Sequence, residues 1–353
     1  MSNPFFQDLL IIELASVLAG PAVGQFFSEL GAKVIKIENA ATGGDVTRSW
    51  KVKGEDPAKL DSAYFKSVNY GKKSILLDLK EATDQARVHA LVAKADVVIS
   101  NFNHTSAKKL GMDVATLAAI NPGMVFAQLY AFGESIDRPA YDIVLQAETG
   151  FLSMTGTKDG ILCRMPVALI DLLAAHQLKE GILIGLLQKM KTGKGVVVKT
   201  GLYDSALASL ANQATNYLIA DRIAQPLGTE HPNIAPYGDI FTLADSEQIV
   251  LAIGTDRQFA TLCEWLSLAV PDELATNQQR VARRQEVIDL LKQPLAACSL
   301  EAVLHLCQSK KIPLGHLKNM EQVFASAAAQ ARLLHYPDGD RAVKTVAFTV
   351  EPL

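Results

Sequence analysis

The sequence predicts an α/β protein, with an alternating strand–helix sheet in a large domain followed by a smaller α+β domain. Three observations carry that expectation. Short apolar runs alternate with helix-period segments through roughly the first 200 residues, the pattern of strands joined by helical crossovers. Glycine and proline stand where those helices begin and stop. Beyond about residue 229 the order changes to two adjoining strand-like runs and then several helices.

LLIIEL (9–14) is a strand-like run; Ala19-Gly20-Pro21 then opens the helical pattern AVGQFFSEL, closed by Gly31, and KVIKIE (33–38) is the next strand. Such a β-α-β unit implies a parallel pair with a right-handed crossover. SILLDL (74–79), a helix through DQARVHALVAK, DVVIS (96–100), a helix near 113–120 and MVFAQLYA (124–131) repeat the pattern. From Ile143 to about Gln188 helical segments are interrupted by GTKDGILCRMP, and VVVKTG (196–201) is a further strand. SALASLANQATNYLIADRI predicts one long helix ending before Pro226. GDIFTLAD and QIVLAIG follow as strands, with helices around 256–268, 277–291 and 300–309. These elements place the large domain at 1–205, completed by 319–353, a linking helix at 206–228 and the small domain at 229–318.

With 353 residues, 49% of them hydrophobic, the chain can bury one large core or two ordinary ones. A net charge of -3 gives no polybasic footprint, so no nucleic-acid partner is expected. No Lys or Arg precedes the apolar start FFQDLLIIELASVLAG, and Asp8 and Glu13 interrupt it, so it is expected to be a strand and helix of a cytoplasmic protein, not a leader. No uninterrupted apolar run is long enough to cross a bilayer. Cys163, Cys263, Cys298 and Cys307 lie far apart without histidines at ligand spacing, and no metal site is expected.

KTGKGV (191–196) lacks the Ser or Thr of a phosphate loop and reads as a helix end with a tight turn into the next strand. SVLAGPAVG after the first strand lacks the Gly-x-Gly-x-x-Gly of a dinucleotide cradle, which weighs against a nicotinamide-dependent dehydrogenase. Asp171 heads the apolar helical run MPVALIDLLAAHQLKEGILIGLLQ. An acid there suits the unpaired N–H groups and dipole of a helix start, and a carboxylate in the same place within an apolar cleft is also a nucleophile short of water. Sequence physics alone does not choose between the two.

Val17-Leu18-Ala19-Gly20-Pro21, Leu30 through Glu38, Gly44-Asp45-Val46-Thr47-Arg48 and Asn69 through Ile75 occur in an order that resembles the family III CoA-transferases, the formyl-CoA transferase and carnitine CoA-transferase group. The resemblance continues through Tyr141-Asp142, Gln146 through Gly150, Thr192 through Gly195, His231 through Tyr237 and Lys311 through Gly315, nearly end to end. It implies an interlocked homodimer whose large domain is built on a Rossmann-like sheet and binds CoA. It also implies that Asp171 attacks an acyl-CoA thioester to give a mixed anhydride, then an aspartyl-CoA thioester from which a carboxylic acid acceptor takes CoA, with backbone N–H groups at the helix start steadying the oxyanions. CoA or acyl-CoA is then a substrate, and no tightly bound cofactor is expected. By motif, Val17, Leu18 and Ala19 would line the CoA path, Lys72, Lys73 and Lys109 would face the nucleotide, and Arg138 would meet the pyrophosphate. Tyr141, Gln146 and His231 would contact the acyl part.

Two departures stand out. Asn39 replaces an Arg of some relatives, and Asn101-Phe102-Asn103-His104-Thr105-Ser106 replaces the commoner Asn-Phe-Arg-Pro-Gly, so nucleotide contacts are expected to differ. The sequence also ends at FTVEPL without the family's Pro-x-x-Gly-x-His-Thr pattern, which would leave the large domain short of a last helical piece. A catalytically silent CoA-binding homologue is one alternative. An α-methylacyl-CoA racemase is another, disfavoured because Ala140-Tyr141-Asp142 stands in place of that enzyme's Gly-His-Asp. Oxalate is disfavoured as a substrate because GTEHPNIAPYGDIF replaces a glycine-rich loop; small dicarboxylates such as succinate stay open.

Overall fold

The computed structural model describes residues 5–134 and 136–351, so Pro352 and Leu353 of the C-terminal stretch lie outside the described residues. The chain divides into two compact units, one within Met1–Leu152, Arg164–Ala224 and Ala331–Leu353 and the other within Ser153–Cys163 and Gln225–Gln330.

In the first unit the chain order is β1 (Leu10–Leu14), α1 (Ala19–Glu29), β2 (Lys33–Asn39), α2 (Ala63–Lys66), β3 (Lys73–Leu77), α3 (Ala82–Val92), β4 (Val97–Ser100), α4 (His104–Lys109), α5 (Val114–Ile120), β5 (Val125–Tyr130), α6 (Asp142–Glu148), α7 (Leu169–Thr192), β6 (Val196–Gly201), α8 (Leu202–Ala208) and α9 (Ala211–Ala220). The strands pair in parallel in the order β3-β2-β1-β4-β5-β6. Because side chains alternate along a strand, Ile11, Val97 and Val125 enter one core with α1 and α7, while Ile12, Val98 and Phe126 enter the other with α3 and α5. Both faces are covered, which is why the central strands read as near-continuous apolar runs. From β1 the chain winds outward through β2 and β3, then returns to β4 and winds the other way, so a crevice opens at the carboxyl ends where that direction reverses. Gly193, at φ 69°, closes α7 in the left-handed conformation, which is the role that KTGKG suggested.

The second unit holds the antiparallel sheet β7 (Tyr237–Thr242), β8 (Gln248–Ala252) and β9 (Leu314–His316), in that order, with α10 (Asp256–Trp265), α11 (Asn277–Ala282), α12 (Arg284–Ala296), α13 (Leu300–Lys310), α14 (Met320–Phe324) and α15 (Ala327–Gln330). Phe241, Ile249, Leu251, Phe259, Leu262, Val287, Leu291 and Val303 form its core. The first unit then regains the chain as the hairpin β10 (Leu333–His335) and β11 (Arg341–Val343), after which Glu29 accepts the backbone N–H groups of Thr345 and Val346 at 2.9 and 3.1 Å.

Two details differ from expectation. The single long helix predicted over 205–223 is broken into α8 and α9, with Ala211 at φ 47°; no Gly or Pro marks the break in the sequence. The unit boundaries differ too: 206–224 group with the first unit, and 319–330 and 153–163 with the second, where Gly228 donates to the Gly156 carbonyl at 2.8 Å and Lys158 pairs with Glu230.

Candidate active site

Helix α7 starts without a capping side chain of its own, since its N-cap is Ala168. Asp142, from the first turn of α6, does that work: one carboxylate oxygen accepts the N–H groups of Ile170 and Asp171 at 2.6 and 3.3 Å. Gln146, one turn further along α6, donates its amide to the other oxygen of Asp142, and its own oxygen accepts Met165 N–H at 3.1 Å. Asp171 is 8% exposed, and among the described residues no hydrogen bond reaches its carboxylate. Burial, with the negative charge of Asp142 adding to it, pushes Asp171 up to about 7. Near these acids stands Tyr64, whose phenol is pushed up to about 12 by burial and then by Asp171, Asp142 and Asp45. Its ring meets Trp50 edge to face at 5.1 Å, and Trp50 meets Tyr141 at 6.3 Å.

Two groups expected to meet the substrate are already engaged in this arrangement. The N–H groups of Ile170 and Asp171 are occupied by Asp142, so the helix start offers them to no oxyanion in this arrangement. Gln146, expected against the acyl group, is buried with both ends of its amide engaged; it braces Asp142.

At the crevice, the turn after β1 is held from three sides. Asn101 accepts Ser16 N–H at 3.3 Å and donates to Ser16 O at 3.1 Å; Asp45 accepts Val17 N–H at 3.2 Å; Lys36 donates to Ala15 O at 2.6 Å. Val17 sits at φ 71°, a conformation that β-branched residues rarely adopt. Lys36 is itself paired with Glu13 and Asp45, each at 3.0 Å. Lys72 is turned inward, with its side chain 1% exposed, donating to both oxygens of Glu13, to Pro21 O and to Asn69. Burial pushes this ammonium down to about 8 against the pull of Glu13. With its hydrogens so committed, Lys72 points inward in this arrangement. Further along β2, Glu38 is bound by Arg48 at 2.6 Å and by Asp45 N–H at 2.7 Å; burial opposes ionisation, yet Arg48 and Ser74 bring the acid down to about 2.

A cleft of about 320 Å³ opens over this turn, with Ala15, Ser16, Lys36, Asn39, Asp45 and Lys80 in its wall. A second, of about 670 Å³, includes Asn101, His104, Arg138 and Tyr141. Both lie in the first unit. Leu18 is the N-cap of α1 and Ala19 its first residue. Lys73 and Lys109 are exposed, at the start of β3 and the end of α4, outside the lining of both clefts. Arg138 is exposed, paired with Glu148 and 4.5 Å above the ring of Phe132. His231 belongs to the second unit, where its Nδ1 accepts Asn233 N–H at 3.2 Å and its ring packs on Tyr237 at 5.1 Å. Trp50, Tyr64, Asp142 and Lys80 escaped the sequence-based site. Asp142 alone had a signal, as part of the Tyr141-Asp142 pair, and only the fold brings it to α7. Among the described residues no group of His, Cys, Asp or Glu is arranged to hold a metal ion, and no helix is long and apolar enough to cross a membrane.

Fold and clefts define a doubly wound α/β protein with a crevice at the reversal of strand order. A family model of CoA-transferase family III matches residues 6–351, and the chain belongs to that family. It is therefore an enzyme of CoA transfer between acyl-CoA and carboxylate. It is 38% identical to a succinate–glutarate CoA-transferase of Agrobacterium fabrum, over 94% of this chain and 84% of that protein. To a human succinyl-CoA:glutarate CoA-transferase it is 34% identical, over 90% and 73% respectively. Among solved structures, a CAIB/BAIF family protein from Brucella suis superposes with a TM-score of 0.85 at 34% identity, covering 99% of this chain and 93% of that one.

Proposed function

We propose that the chain moves CoA between an acyl-CoA and a small dicarboxylic acid of the succinate–glutarate kind, as a homodimer, with Asp171 as covalent nucleophile. The names of the two similar transferases support the substrate class. The observation that carries the nucleophile is the state of Asp171: buried, free of hydrogen-bond donors and facing the repulsion of Asp142. Ionised Asp171 is raised in energy there, and acylation relieves the cost because the anhydride and the thioester are neutral.

One oxygen of Asp171 attacks the thioester carbonyl, the C–S bond breaks, and CoA leaves as thiolate from a mixed anhydride. The thiolate attacks the Asp171 carbonyl carbon, releasing the donor acid as its carboxylate and leaving an aspartyl-CoA thioester. The acceptor carboxylate repeats these two steps in reverse, so no proton, oxidant or metal is consumed. Val17, Leu18 and Ala19 line the CoA path, with the nucleotide toward the cleft that contains Asn39 and Lys80 and with Lys73 and Lys109 as outer cations. Arg138 reaches the pyrophosphate by giving up Glu148. Tyr141 contacts the acyl part.

The test is incubation with paired acyl-CoAs and dicarboxylic acids, following CoA ester exchange and searching by mass spectrometry for an acyl or CoA adduct on the peptide containing Asp171. Exchange is expected in the wild type and lost by more than about 1,000-fold in Asp171→Ala. Undiminished exchange in that variant overturns the mechanism, and CoA binding without exchange by any pair favours a silent homologue.

A further inference from the structure

The charges beneath the crevice are more than scaffolding. Glu13 of β1, Lys36 in the middle of β2, Asp45 beyond β2 and Lys72 just before β3 form one connected set, with side-chain exposures of 1% or less. A buried ion network is weak support for stability, since apolar residues of similar volume often serve as well. This one makes specific contacts with the backbone of the turn above it. Lys36 holds Ala15 O and Asp45 holds Val17 N–H, while Thr47 anchors Asp45 through its N–H at 3.0 Å and its hydroxyl at 2.8 Å. Between the two held atoms the chain passes through Ser16, fixed by Asn101, into the left-handed conformation of Val17. A β-branched residue keeps that conformation only where its surroundings over-determine it. Both ends of the device, Ala15 and Ser16 from the turn and Lys36 and Asp45 from the network, stand in the wall of the 320 Å³ cleft.

We propose that Lys36 and Asp45 are positioning residues for CoA, holding the turn Ala15–Leu18 in the strained form that receives the nucleotide end of the substrate. This rests on the assignment of CoA to that cleft. Loss of Asp45 lets Val17 relax to negative φ, and the wall is then remade at the expense of affinity on each binding event.

The test is a double-mutant cycle between positions 45 and 17, measured as direct CoA binding to the full chain by calorimetry, with kcat and KM for exchange recorded beside it. Asp45→Asn is expected to raise the Kd for CoA by about 10-fold and the KM in parallel, with kcat at saturating CoA changed by less than about threefold. Glycine reaches positive φ without strain, so in a Val17→Gly background the same substitution is expected to cost less than about threefold. Asn101→Ala leaves every buried charge in place and is expected to show the same coupling to position 17, which keeps the test decisive should Asp45→Asn fail to fold. A folded Asp45→Asn with wild-type Kd overturns the proposal, as does an equal penalty in the wild-type and Val17→Gly backgrounds. CoA binding with the expected coupling but no acyl exchange removes the transferase mechanism and leaves the positioning role standing; exchange without coupling does the reverse. A wild type that binds no CoA removes both.

Discussion

Asp171 and Asp142 divide between them the two things an acid can do at a helix start. Asp142 accepts the first-turn N–H groups of α7, and Asp171, third in the helix, is left without donors. Sequence alone held both roles open for Asp171, because an acid in a first turn is favourable whichever task it performs. The capping acid came from another helix, beyond the reach of local pattern. A pH dependence follows at this scale. As a nucleophile Asp171 must be ionised, so exchange at saturating substrate is expected to rise with pH through about 7. Burial is the larger cause of that raised value and the charge of Asp142 the next, so Asp142→Asn removes a repulsion and stabilises ionised Asp171. Its midpoint is therefore expected to move down by about one pH unit in a pH–rate profile. A midpoint unchanged or moved upward would show that Asp142 does not act on Asp171 electrostatically.

Helix α7 carries that acid at its start and anchors it through its length. It lies on the sheet by way of glycines: a Cβ on Gly181 would stand 2.5 Å from Val198 Cγ1, and one on Gly185 would stand 2.9 and 3.0 Å from methyl groups of Val196 and Val125. Gly185→Leu is expected to lift the helix off β5 and β6 and to cost ~1–3 kcal/mol, read as a lower urea midpoint at unchanged slope. At this scale the sequence was most informative for β1, β2, β4 and β5, whose apolar runs are bounded by turns and buried on both faces. It was least informative at the α8–α9 break, where an alanine-rich stretch fits one helix locally and the interruption depends on packing. SILLDL shows an intermediate case: the strand stops at Leu77, and Leu77 through Lys80 turn away into the cleft wall.

For the molecule as a whole, the surface bears on the proposed homodimer. Ile184, Leu187 and Met190 project from the side of α7 opposite its core contacts, and Leu218 and Ile219 of α9 are 78% and 80% exposed. A helix apolar all round is ordinarily covered, and single exposed apolar residues are commonplace where continuous ones are not. A second copy of this chain is expected to cover them. Sedimentation at micromolar concentration should give a dimer, and Leu218→Asp with Ile219→Asp should give monomer or insoluble chain; a wild type that stays monomeric at about 100 μM, where a stable dimer would be saturated, would count against the dimer.

The sequence by itself determined the alternation of strand and helix, the change of architecture after about residue 229 and the family likeness, because each is written in local periodicity or in contiguous motifs. Only the tertiary structure decided which charges meet. It turned Lys72 inward onto Glu13, set Asp142 on α7, committed Gln146 to bracing Asp142, and drew Ala15, Lys36 and Asp45 to one crevice. The physical reason is range: periodicity is fixed between residues a turn apart, whereas an ion's partner and its desolvation depend on groups that the chain brings together from tens of residues away.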